Sequence, residues 1–174
     1  MSHSSRKSVV VVGGGAAGAA IARILSAKIN PDIASLTLVT ARPFAIHLPA
    51  AIRMTTTSEG KLEDDVLIPY DKLLVNNNGT IKVGRVTSIE RNKESRSGRG
   101  SVVLSTKERI RYDILVLAPG FEWEGPLAFP DDRAAVLAHI KSWRRKFKHA
   151  SGIILAGGGA VGCGMIFYPI CVFI

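Results

Sequence analysis

Two short aliphatic runs each lead straight into a GxGxxG loop, and this repeated step from strand to glycine turn constrains the fold more than any other feature. Val9-Val10-Val11-Val12 runs into Gly13, Gly15 and Gly18; Ile153-Ile154-Leu155-Ala156 runs into Gly157, Gly159 and Gly162. In such a loop the first glycine permits a tight turn, the second lets a pyrophosphate approach the backbone, and the third lets helix and strand pack closely. Amides of the first helical turn then face an anion, helped by the helix dipole.

The surroundings of the first loop agree with this reading. Residues 17–28 read as a helix, with Ile21, Ile24, Leu25 and Lys28 at spacings of three and four. Asn30-Pro31 stops it, and residues 35–40 read as a second parallel strand, completing a βαβ unit. One loop suits a dehydrogenase, whereas two suit a flavoprotein that also binds a pyridine nucleotide. A carboxylate that would hold a ribose is missing from the end of the second strand, where Thr40 stands. A hydroxyl can still bond a ribose, and Arg42 can meet a phosphate.

Farther along, residues 41–54 read as a loop with Pro43 and Pro49, and Arg53 follows a small apolar run that can open a helix. Arg53 suits either a diphosphate or a surface salt bridge. His47 is a candidate proton donor or a solvated loop residue. Residues 55–66 are polar and expected to be exposed, and 71–75 form a short turn. Residues 80–89 alternate as one strand, 91–101 make a solvated basic hairpin tip, and 102–105 return, with 108–112 as a further strand. This predicts an antiparallel insertion between parallel strands. Residues 112–117 read as a buried parallel strand ending at Ala118-Pro119-Gly120, beside the first glycine loop. Residues 131–150 read as a helix capped by Asp131 or Asp132, with Val136, Ile140, Trp143 and Phe147 as its apolar stripe. Lys141, Arg144, Arg145, Lys146 and Lys148 form the rest, either solvated or facing an anionic membrane.

Composition narrows the chemistry. Hydrophobic residues make up 47% of the 174-residue chain, enough for a buried core. Both cysteines lie in the last twelve residues, so no redox pair accompanies the first loop and any redox chemistry belongs to a bound cofactor. A net charge of +9 favours anionic partners, and no motif supports nucleic acid among them. The start lacks a secretory segment, and no stretch before residue 160 is apolar enough to span a bilayer, so the expectation is a cytoplasmic protein able to touch a membrane.

Taken in order, the first loop, Pro49-Ala50-Ala51-Ile52-Arg53, the strand around Val86, the strand to Gly120 and the second loop resemble the two-dinucleotide flavoproteins. The nearest branch is the apoptosis-inducing-factor-like group with the ferroptosis-suppressor quinone reductases, within the pyridine nucleotide-disulfide oxidoreductase superfamily. The resemblance implies a Rossmann-like α/β FAD/NAD(P)-binding fold in three layers, with an antiparallel β insertion in the parallel sheet. It implies that Gly13, Gly15, Ala16, Ala17 and Gly18 bind FAD, with Thr40 at the ribose position. Arg53 would contact the diphosphate or flavin side, Val86 the adenine through its backbone, and Ala118 and Gly120 the cofactor near the domain crossing. Gly157, Gly159 and Gly162 would begin the NAD(P)H site. Pro119 replaces the family's threonine and removes a backbone N–H.

The activity so implied passes electrons from NAD(P)H through flavin to a quinone-type acceptor, with no catalytic side chain and no metal. Residues 1–126 would form the first part of the FAD domain and 127–174 the beginning of the NAD(P)H domain. Residues 163–174, with Gly164 and Pro169, depart from the family's helix, and the fold is expected to be incomplete at the C-terminus. Two alternatives stand beside this reading. One is a nucleotide-binding module that keeps the fold without turnover. The other is a single-domain NADP reductase using Arg42, against which the insertion and the second loop both argue.

Overall fold

The computed structural model describes residues 6–92, 98–157, 159, 161 and 171–173. In chain order these form β1 (Lys7–Val12), α1 (Ala16–Lys28), β2 (Ala34–Thr40), β3 (Phe44–Ile46), α2 (Leu48–Thr56), α3 (Glu63–Val66), β4 (Leu67–Pro69), β5 (Thr80–Val83), β6 (Val86–Arg91), β7 (Gly100–Leu104), β8 (Arg109–Tyr112), β9 (Ile114–Leu117), α4 (Arg133–His149), β10 (Ile153–Leu155) and β11 (Cys171–Phe173). They divide into two compact units, one of residues 1–45 and 69–120, the other of residues 46–68 and 121–174.

The first unit has the three layers expected. Its middle is a parallel sheet in the order β5-β2-β1-β9. The alternate residues of β1 decide what covers each face, because successive side chains of a strand point opposite ways. Val9 and Val11 join Leu36, Leu38 and Ala22, with Ile21 and Leu25 of α1 packed against them. Val10 and Val12 join Val39, Val102, Leu104 and Tyr112, so the antiparallel sheet β6-β7-β8 covers the other face. A strand buried on both faces needs apolar residues at every position, which is why β1 ends in four valines.

Three strand expectations change. Residues 80–89 are two strands in two sheets, not one. The Gly84 N–H donates to the Thr40 carbonyl at the end of the parallel ladder, and the Arg85 carbonyl accepts from Ser105 N–H. A Cβ at Gly84 would stand 2.8 Å from Leu104 Cδ1, so the chain changes sheets at the one place without a side chain. Tyr112 closes β8 and does not open β9; Asp113 makes the break, exchanging its N–H with the Ser8 carbonyl while its Oδ2 accepts from Ser8 N–H at 2.7 Å. β9 is also not a buried strand, since it lies at the edge of the parallel sheet with Ile114 and Leu117 about half exposed.

In the second unit, α2 packs against α4. Residues 41–54 are not a loop, because they contain β3 and most of α2, which a proline at its N-terminus starts. β3 and β4 pair as a two-stranded ribbon. Thr55 and Val66 are buried, against the expectation that 55–66 is solvated. The Thr55 hydroxyl is satisfied by the Ile52 carbonyl at 2.8 Å. Asp132 caps α4, its Oδ1 accepting from the Ala135 N–H, and Val136 and Ile140 are its fully buried positions. Arg144 is not a solvated cation. Its Nε donates to the Met54 carbonyl at 2.9 Å and its two terminal nitrogens grip both oxygens of Glu63. β10 pairs in parallel with β11.

Candidate dinucleotide-binding site

β1 delivers the chain to the carboxyl end of the sheet, between β2 and β9. The Gly13 N–H donates to the Val39 carbonyl and the Ala118 N–H to the Val12 carbonyl, each at 2.8 Å, so the chain is held from both sides where β1 passes into the loop. Gly13 takes φ +106°, where a side chain is strained, and a Cβ there would collide with the Ala118 carbonyl. A Cβ at Gly18 would strike the Gly13 carbonyl, which shows close helix–strand packing. A Cβ at Gly15 would meet nothing within 4 Å. The open side of the loop is therefore at its middle glycine, where a ligand would approach.

α1 starts there without a cap. Gly15 has no side chain to accept from the first turn, the turn holds no acid, and Gly15, Ala16 and Ala17 are exposed. The first N–H groups of a helix have no partner within it and carry its positive dipole end. Here they face solvent beside an uncrowded backbone, which is the arrangement that binds a phosphate group.

The inner side of the loop is closed by two hydroxyls. Tyr70 Oη donates to the Gly14 carbonyl, and Thr40 Oγ1 lies 3.5 Å from Tyr70 Oη. Thr40 Oγ1 donates its proton to the Arg42 carbonyl at 3.1 Å. Thr40 is only 4% exposed, so the hydroxyl at the ribose position is turned inward and its proton is used within the loop. Burial raises the Tyr70 phenol above its ordinary range, so the phenol keeps the proton it donates. Tyr70 also lines a cleft of about 490 Å³ with Pro43, Pro69, Leu74, Ile81 and Val83. No Lys or Arg is among the residues lining that cleft.

The other expected residues divide between the units. Val86 opens β6, half-buried against the cluster around Val10. Gly120, at φ +72°, is exposed where the chain leaves the first unit. Arg53 belongs to the second unit, near the end of α2, with an exposed guanidinium 3.8 Å from Glu59. His47 is exposed at the start of α2 and gives that helix no side-chain cap. Gly157 takes φ +104°, close to the +106° of Gly13. Gly157 and Gly159 are exposed, and Gly162 lies outside the described residues.

Tyr70 and the Arg144–Glu63 pair are absent from the expectations for good reason. Tyr70 stands fifty-six positions beyond the carbonyl it holds, and no local pattern marks such a contact. Arg144 reads as one of five cations in a basic run. Its ion pair spans eighty-one positions.

The family model described as pyridine nucleotide-disulphide oxidoreductase matches residues 7–168. The chain belongs to that family. It is 41% identical over 109 residues to an FAD-dependent oxidoreductase of Flammulina velutipes, a match covering 63% of this chain and 33% of the relative. It is 28% identical over 166 residues to apoptosis-inducing factor homolog B of Dictyostelium discoideum, covering 94% of this chain and 38% of the other. Among solved structures, the sulfide:quinone oxidoreductase of Aquifex aeolicus aligns over 85% of this chain and 34% of its own, at TM-score 0.58 and 24% identity, a likeness of fold. The chain thus spans about a third of the length of the curated relatives it matches.

Proposed function

We propose that the chain is the N-terminal part of an FAD-dependent NAD(P)H oxidoreductase that hands electrons to a quinone-type acceptor. In this reading residues 1–126 begin the FAD domain and 127–174 begin the NAD(P)H domain. The observation that carries it is the uncapped, acid-free and exposed start of α1 behind a glycine loop whose middle position is open. These residues fit a dinucleotide diphosphate. The N–H groups of Gly15, Ala16 and Ala17 would hold its oxygens, while Gly13 and Gly18 keep loop and helix close enough to present them. Bound flavin would supply the redox chemistry; the chain's part is to bind and orient the nucleotide.

Two features support finer points. Gly157, at the head of the second GxGxxG motif, takes nearly the φ of Gly13, which supports a pyridine nucleotide as the second ligand. Lys141, Arg145 and Lys148 lie on the exposed face of α4, and no acid lies in that helix, which supports peripheral contact with an anionic membrane surface. No helix among the described residues is long and apolar enough to cross a membrane.

The variant Ala17→Asp tests the loop assignment. An acid in the first turn of a helix stabilises it, by about 0.3–1 kcal/mol, but here it would repel a diphosphate. The expected result is FAD affinity reduced at least about tenfold, roughly 1.4 kcal/mol, with no loss of thermal stability. Unchanged affinity would remove the loop from the site.

A further inference from the structure

We infer that Tyr70 is a positioning residue for the diphosphate: by holding the Gly14 carbonyl from inside, it turns the Gly15 N–H outward as a donor to the ligand. The inference rests on the reading of the first loop as a dinucleotide site.

The Gly14 C=O and the Gly15 N–H belong to one planar group, and no cis peptide occurs among the described residues, so the two dipoles point in opposite directions. Tyr70 is 7% exposed and donates to that carbonyl from the interior. The N–H at the other end of the plane must then face away from Tyr70, toward the side where Gly15 is exposed and a Cβ would meet nothing. Without the bond, glycines on both sides would let this plane rotate at little cost. A hydrogen bond on the carbonyl also polarises the amide, strengthening its N–H as a donor.

Glycine at position 14 follows from the same contact. Its φ is not in the left-handed region, yet a Cβ there would collide with Tyr70 Oη and Thr40 Oγ1. The second glycine of the Gly13-Gly14-Gly15 run is therefore required by these hydroxyls and not by the turn. Thr40 completes the enclosure, since its own proton goes to the Arg42 carbonyl and Tyr70 is left to serve Gly14.

The test is binding of FAD and of ADP, which share the diphosphate, to the 174-residue chain and to Tyr70→Phe. The phenylalanine keeps the ring and removes only the donor. The expected result is a loss of about tenfold for both ligands, as one hydrogen bond to a charged group would give. The amide resonance of Gly15 should also shift on ligand binding in the parent and shift less in the variant, a change that loss of packing alone would not produce. A folded Tyr70→Phe that binds both ligands as the parent does would overturn the inference and leave the loop assignment standing. A parent that takes up neither ligand would overturn both. Should Tyr70→Phe fail to fold, 3-fluorotyrosine at position 70 keeps the shape and donates more strongly. Tighter binding is then expected, and an unchanged constant overturns the inference.

Discussion

At the scale of single residues, the glycines of the first loop are not equivalent. Gly13 and Gly18 make room for protein, Gly14 makes room for Tyr70 and Thr40, and Gly15 makes room for nothing in the chain. Gly14→Ala and Gly18→Ala should each cost about 1–3 kcal/mol by overpacking, seen as a lower unfolding midpoint. Gly15→Ala should leave the midpoint within about 0.5 kcal/mol and weaken FAD binding. Glu63 gives a prediction in pH. The Arg144 guanidinium holds its carboxyl below the ordinary 4.5. A lowered folded value means the pair stabilises the fold above the unfolded value, and that its contribution is lost as pH falls through the folded one. Glu63→Ala should therefore cost about 2 kcal/mol near neutrality and make the acid side of the stability profile shallower. A cost that stayed constant from pH 7 to pH 3 would contradict the pairing.

At the scale of elements, much was legible in the chain itself. Helix α1, strand β2, the antiparallel insertion and the Asp132 cap follow from period, breakers and capping residues, which are local signals. Asp132→Ala should lower stability by about 1 kcal/mol, measured by thermal unfolding. What escaped depends on partners remote in sequence. The alternation of residues 80–89 continues straight through Gly84, yet the chain leaves one sheet for another because Leu104 fills the space where a side chain would be. β9 has the composition of an interior strand and the position of an edge one. The candidate site shows the same division. Gly13, Gly15 and Gly18 stand in the motif, whereas Tyr70 enters by a contact over fifty-six positions. Thr40 was legible as the missing carboxylate but not as a group turned inward, because its partner is a backbone carbonyl.

At the scale of the whole molecule, the two glycine loops differ in their surroundings. A Cβ at Gly13 would strike the Ala118 carbonyl, while one at Gly157 would meet nothing within 4 Å, although the two glycines share their φ. The first loop is built into a three-layered unit, and the second has no such packing among the described residues. Nucleotide uptake is therefore expected at the first loop, and uptake that survives intact in a Gly13→Val variant that still folds would contradict that expectation. The charge of the molecule adds an independent check. Vesicles containing phosphatidylserine should retain the chain at low salt, and the triple variant K141E/R145E/K148E should release it. Equal retention of parent and variant would remove α4 from any membrane contact.

The most direct measurement is calorimetric titration of the purified chain with FAD. The account predicts uptake of one equivalent, displaced by ADP and weakened by Ala17→Asp. A folded chain that takes up no FAD, or one whose uptake is indifferent to both ADP and that substitution, would contradict it.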